Sequence, residues 1–149
     1  MREVLYALVP GIAAYAWYFG PGVLIQILLA SVFAIMLEAL VLKARGRPLA
    51  PFLGDGSAVV TAVLFALCIP PLAPWWIALT GMVFAIVFAK HLYGGLGNNL
   101  FNPAMVAYVV VLISFPQLMT AWPAPEQLTA LGFGLQETLL TILGGQPAG

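Results

Sequence analysis

The apolar residues of this chain fall into five runs, which short polar or Pro/Gly-rich breaks separate. The runs cover residues 4–19, 22–42, 57–69, 75–92 and 103–115. A helix that crosses a bilayer needs about 20 apolar residues, a length that the second and fourth runs approach. The third and fifth runs have only 13 residues each, which as helices rise about 20 Å against a hydrocarbon core of about 30 Å. The pattern therefore predicts an all-α, polytopic membrane bundle of about five segments, two of which are short and half-spanning.

The hydrophobic pattern weakens after residue 116. Prolines and acidic residues, among them Pro123, Pro125, Glu126 and Glu137, surround one weakly amphipathic stretch at residues 134–143. Such a mixture is typical of a surface segment. The sequence thus divides into a transmembrane bundle over residues 1–116 and an outer-side tail over residues 117–149.

Composition and charge favour a membrane environment. Hydrophobic residues make up 63% of the chain and charged residues 7%, whereas an ordinary soluble domain has about 25% charged residues. Five basic and five acidic residues cancel, and without a basic stripe the chain offers nucleic acid no binding surface. Cations are retained on the cytoplasmic side of short loops, and an inside N-terminus places all five there. These cations are Arg2, Lys43, Arg45, Arg47 and Lys90.

Both short runs begin behind a polar segment that contains glycine. Residues 53–57 read LGDGS, and residues 94–102 read GGLGNNLFN. Asn102 precedes a proline and is suited to cap a helix, because its side chain accepts a bond from an exposed amide and proline loses nothing at the first position. Asp55 or Ser57 is suited to cap the other short helix in the same way.

The glycine- and asparagine-rich stretch over residues 94–102 leaves two alternatives open. Lipid cannot satisfy irregular backbone, so the stretch lies in cytoplasmic water or folds inward against protein or a ligand. In transporters, interrupted helices in matching positions place their ends at a substrate or ion. Spacing alone does not decide between these two arrangements.

Glu38 is an ionisable group within the second run, and an intramembrane carboxylate is by default a candidate for an ion path. The alternative is a carboxylate at the headgroup level beside Lys43. His91 is expected at the inner interface, where no set of ligands surrounds it to form a metal site. Small residues at every fourth position, Gly81, Ala85 and Ala89, are typical of close helix packing in lipid.

Three long strings in this chain resemble the RnfD/NqrB family: residues 18–49, residues 55–76 and residues 89–116. The resemblance implies a membrane subunit of an Rnf-type complex in the bacterial inner membrane, with other Rnf-type membrane subunits and the lipid bilayer as partners. Such a complex couples electron transfer between NADH and ferredoxin to Na⁺ or H⁺ movement. It also implies two inverted helical repeats similar to urea-transporter folds, of which this chain would be the first.

The same resemblance implies flavins. The family's Asn-x-x-Asn-Pro element, which holds riboflavin, maps onto NLFNP at residues 99–103, and the glycines before it permit a close backbone approach. Covalent FMN in the family is attached to a threonine in a Ser/Thr-Gly/Gln-Ala-Thr motif, which this chain lacks, so it is not expected here. The candidate cofactor-binding residues are Asn99, Asn102, Gly94, Gly95, Gly97, Asp55 and Ser57.

Two other functions remain open. One is a small-solute channel or transporter of the same half-helix architecture without a flavin, and the other is an inert assembly fragment. Hydrolytic catalysis has no support, because the sequence contains neither a Gly-x-Ser-x-Gly elbow nor a Walker loop. Electron transfer needs no catalytic side chain, because the cofactor carries that chemistry. A flavin spectrum of the purified assembly distinguishes these functions.

Overall fold

A computed structural model describes residues 2–93, 101–124 and 134–144 of the chain. In these three ranges the regular structure is helical and contains no strand. The helices are α1 (Arg2–Phe19), α2 (Gly22–Ala44), α3 (Leu49–Leu53), α4 (Ser57–Cys68), α5 (Trp75–Met82), a π-helix (Val83–Leu92), α6 (Pro103–Ser114), α7 (Pro116–Thr120) and α8 (Leu135–Gly144). The prediction of an all-helical chain is confirmed.

The helix boundaries follow the apolar runs closely. The second to fifth runs begin at the residues where α2, α4, α5 and α6 begin, and α5 passes directly into the π-helix. Sequence patterning did not predict α3, a five-residue helix that follows Pro48. A helix that short contains little more than one turn, so periodicity cannot reveal it.

Helix α2 lies at the centre of the bundle, where it packs against α1, α4, α5 and the π-helix. Its buried positions recur every three or four residues and form one face of the helix. They are Gly22, Val23, Gln26, Ala30, Ala34, Glu38 and Leu42. The two alanines in the middle of this face let neighbouring helices approach closely, as in lipid-embedded bundles.

The small-residue stripe on the fourth segment packs as the sequence predicted. Gly81 lies against the ring of Phe65 on α4, so that a Cβ atom added at Gly81 would overlap the ring. Ala85 and Phe65 are both fully buried. The stripe therefore seats α4 against the fourth segment.

The two short helices, α4 and α6, begin at the same end of the bundle. The rings of Trp76, at the start of α5, and Phe115, just after α6, are 4.9 Å apart, so α6 runs antiparallel to α5 and the π-helix. At the opposite end, Lys90 Nζ donates to Ser57 Oγ at 2.6 Å, which joins the end of the π-helix to the start of α4. Each short helix has 12 residues and rises about 18 Å.

The surface of the bundle is strongly apolar. Within the described ranges, two helical stretches, Gly22–Ala44 and Trp75–Leu92, are long and apolar enough to cross a membrane. Large apolar side chains point outward, including Tyr6, Leu28 and Ile113, which are 74%, 65% and 75% exposed. Apolar surface of this extent is suited to contact with lipid or with other membrane helices.

Candidate functional site

Four polar side chains meet inside the bundle at the end where α4 and α6 begin. Lys90 Nζ donates to Glu38 Oε1 and to Ser57 Oγ, and His91 Nε2 lies 3.8 Å from Glu38 Oε1. Glu38 has no exposed surface, and Lys90 and His91 are only 3% and 4% exposed. We refer to Glu38, Ser57, Lys90 and His91 as the Glu38 cluster.

The π-helix accounts for two consecutive polar side chains on the buried side of the fourth segment. Its wider turn is visible where Tyr93 N donates to Phe88 O at 3.0 Å, a bond across five residues. This turn lets Lys90 and His91 both lie on the buried side, where they approach Glu38 of α2. π-Helical turns are rare and occur frequently at functional sites.

The start of α4 presents the Ser57 hydroxyl to the cluster. Gly56 precedes the helix with a φ of 73°, a left-handed conformation that glycine adopts without steric cost. Asp55 Oδ1 accepts from the Ser57 backbone amide at 2.7 Å, so Asp55 satisfies the helix start and Ser57 does not. The Ser57 hydroxyl instead accepts from Lys90.

Two atoms of the Glu38 cluster have no hydrogen-bond partner among the described residues. They are Glu38 Oε2 and His91 Nε2, and both are buried. Because an unsatisfied buried polar atom costs about 1–3 kcal/mol, such atoms in a native structure call for an explanation, such as a bound ion, a water or a proton. The cluster thus retains one carboxylate oxygen and one imidazole nitrogen for a further ligand.

Asn102 begins α6, as the sequence predicted. Its Oδ1 accepts from the Ala104 amide at 3.0 Å, and Pro103 occupies the first helical position. The side chain is exposed, and in the described part of the chain no hydrogen bond joins it to Asp55 or Ser57. Asn99, Gly94, Gly95 and Gly97, the other predicted cofactor-binding residues, lie outside the described residues.

The Glu38 cluster was not predicted from the sequence. The interpretation of Glu38 as a headgroup carboxylate beside Lys43 was wrong, because Glu38 is buried against Lys90 and Lys43 is exposed. The expectation that His91 lies at the interface was also wrong, since its side chain is almost completely buried. Equal depth was the available signal, because Glu38 and Lys90 both come shortly before the ends of antiparallel segments that finish on the same side.

The fold and the cluster define a helical membrane-protein bundle that holds an ion pair in its interior. The sequence matches the NQR2, RnfD, RnfE family over residues 1–145. The chain belongs to this family, which confirms the resemblance drawn from its motifs.

Three relatives illustrate the similarity, and each is named as the D-type subunit of an ion-translocating oxidoreductase complex. The Aeromonas hydrophila protein is 56% identical over 145 residues, which cover 97% of this chain and 41% of the relative. The Ectopseudomonas mendocina protein is 63% identical over 131 residues, with coverage of 88% and 38%. The Escherichia coli O127:H6 protein is 55% identical over 148 residues, with coverage of 99% and 42%. The chain spans about two fifths of the length of these curated relatives.

Proposed function

We propose that this chain forms part of a membrane subunit of an Rnf-type complex in the bacterial inner membrane, with its N-terminus in the cytoplasm. In this complex, electron transfer between NADH and ferredoxin drives Na⁺ or H⁺ across the bilayer, and the other Rnf-type membrane subunits are its partners. The relatives' name, with its terms ion-translocating and oxidoreductase, supports this function. The cation distribution supports the orientation.

The Glu38 cluster is the observation that carries the ion-translocating part of the proposal. Ionisable side chains inside a membrane bundle are costly, and they mark ion and proton pathways. Lys90 neutralises Glu38, while the second carboxylate oxygen is buried without a partner among the described residues. An ion that reaches this oxygen acts on α2 directly, and through Lys90 it acts on the π-helix and the start of α4.

The test uses the assembled complex in proteoliposomes. A Glu38→Gln substitution keeps the side-chain volume and removes the charge, so we expect ion movement to fall at least tenfold while electron transfer continues. Lys43→Gln serves as the matched control, because it removes an exposed charge from the last turn of the same helix. Ion movement that is equal in both variants and the wild type would exclude Glu38 from the pathway.

Riboflavin binding at the start of α6 forms the second part of the proposal. Bound riboflavin would supply one-electron and two-electron transfer. Asn102 Oδ1 is already used by the helix cap, so its Nδ2 group is the donor that remains for a carbonyl of the flavin ring. The exposed side chain fits this role, and Asn99 with Gly94, Gly95 and Gly97 would complete the site.

Two substitutions separate the cap from flavin binding. Asn102→Asp keeps the cap oxygen and replaces the Nδ2 donor, whereas Asn102→Ala removes both. We expect both variants to lose non-covalent flavin from the purified complex, measured by absorbance after acid extraction, and only the alanine variant to weaken α6. An aspartate variant with the wild-type flavin content would rule out this contact. A colourless, correctly assembled wild-type complex would favour a solute channel without flavin.

The urea-transporter-like repeat belongs to the same proposal. Two short helices that begin at one end of the bundle support it, because transporters place interrupted helices in this way around a central site. We expect the second repeat in the part of the relatives that this chain does not cover.

A further inference from the structure

We propose that the ion handled by the Glu38 cluster is a proton and that His91 Nε2 is the atom that binds it, with Glu38 as its hydrogen-bond partner. This inference rests on the proposed function and narrows it from Na⁺ or H⁺ to H⁺. It follows from the kind of atoms that the cluster leaves open, from their distances and from the charges around them.

The ligand set of the cluster does not suit a metal cation. Hard cations are held by a shell of about six or more oxygen atoms. The cluster contributes two carboxylate oxygens and one hydroxyl, and Lys90 already binds one carboxylate oxygen and the hydroxyl. Among the described residues, no group of three or more His, Cys, Asp or Glu side chains is placed to hold a metal ion.

The open atoms suit a proton. Imidazole is the side chain whose unperturbed charge change falls near neutral pH. His91 Nε2 is buried without a partner in the described ranges, at 3.8 Å from Glu38 Oε1, and a shift of about 1 Å would bring the two atoms within hydrogen-bond distance. A protonated Nε2 then has a carboxylate acceptor that the neutral ring does not use in this structure.

The proton balance involves a single bond. A neutral imidazole with its hydrogen on Nδ1 gains a proton, and an N–H bond forms at Nε2. The imidazolium donates to Glu38, while Lys90 keeps its own proton and its bond to Ser57. The charge of the cluster changes from zero to plus one, and release breaks the same N–H bond.

The surrounding charges favour temporary occupation of this site. Glu38 on α2 attracts the proton, while the ammonium of Lys90 on the π-helix repels it. Arg45 and Arg47, at the end of α2, also repel it. The neighbouring α4 faces the cluster with the neutral Ser57, behind which Asp55 caps the helix, and α6 has no charged side chain between Pro103 and Ser114. A proton is therefore attracted by one carboxylate and repelled by three cations, which allows both uptake and release.

The test replaces His91 with glutamine in the assembled complex, reconstituted in proteoliposomes. A pH-sensitive dye inside the vesicles measures proton movement, and radioactive sodium measures Na⁺ movement. We expect His91→Gln to lower proton movement at least tenfold, and to leave electron transfer within twofold of wild type when a protonophore removes the back-pressure. Lys43→Gln is the control and should match wild type in every measurement.

The outcomes separate this inference from the function on which it rests. If Glu38→Gln stops ion movement and His91→Gln does not, the proton inference fails while the proposed function stands. If neither substitution changes ion movement, both fail at this site.

A second measurement covers the case in which His91→Gln does not assemble. Infrared difference spectra of the wild-type complex, recorded during reduction with and without ¹⁵N-labelled histidine, should contain an isotope-sensitive imidazolium band. A spectrum without any isotope-sensitive histidine band would overturn the inference.

Discussion

The starts of α4 and α6 form a natural comparison. The two helices have the same length and begin at the same end of the bundle, and a side-chain carboxylate or carboxamide oxygen accepts from a backbone amide at each start. At α4, however, the first residue is also tied to a buried ion pair, through the bond between Ser57 and Lys90. At α6 the capping residue, Asn102, is exposed.

This difference indicates two roles for two similar structures. The start of α4 is closed by the protein's own charges, so a ligand there is limited to something as small as a proton or a single ion. The start of α6 is open and has an amide donor to offer, as a larger planar ligand requires. Substitutions at α4 should therefore reduce stability and ion movement, whereas those at α6 should mainly change flavin content.

The largest expected effect is that of Lys90→Met. This substitution leaves Glu38 buried without a counter-charge, a change that costs about 3–5 kcal/mol in comparable buried pairs. We expect a marked fall in the thermal midpoint of the solubilised complex. The double substitution Glu38→Gln with Lys90→Met should recover most of this loss, and a double variant as unstable as the single one would show that the charge is not the cause.

Gly81→Ala should have the next largest effect, because the added Cβ overlaps the Phe65 ring that seats α4. Overpacking of this kind costs about 1–3 kcal/mol, measured as a lower thermal midpoint. A second substitution, Phe65→Leu, should relieve part of the loss. Gly11→Ala in α1 is the matched control, because a Cβ at Gly11 meets no atom within 4 Å.

Asn102→Ala should destabilise the start of α6 by about 1 kcal/mol, the usual cost of losing an N-terminal cap. Asn102→Asp should retain this stability, since the cap oxygen remains. Hydrogen exchange of the Ala104 and Val106 amides measures the difference. Equal protection in the alanine variant and the wild type would contradict the role of the side chain as a cap.

The smallest expected effect is that of Asp55→Ala. It removes the 2.7 Å bond to the Ser57 amide, which in its exposed position contributes about 0.5–1 kcal/mol. Asp55→Asn should retain most of this contribution. A loss of ion movement in the asparagine variant would instead assign the Asp55 charge to the pathway and weaken the contrast between the two helix starts.

Local pattern was sufficient to predict the helices that position the site. The apolar runs marked α2, α4, the continuous fourth segment and α6 from their first residues, because burial in an apolar solvent requires unbroken apolar sequence. The Asn102 cap was also predictable, since an asparagine before a proline satisfies a helix start without help from any distant residue.

The tertiary structure decided which polar side chains meet. The bond from Gln26 Nε2 to Ala73 O, at 2.5 Å, and the ion pair between Glu38 and Lys90 each join residues about 50 positions apart. Hydrophobic periodicity describes one helix at a time, so it places Glu38 on a helix without naming the helix that faces it. The sequence by itself determined that the chain forms apolar helices with polar starts, but only the packing of α2 against the π-helix brought a carboxylate, an ammonium and an imidazole together.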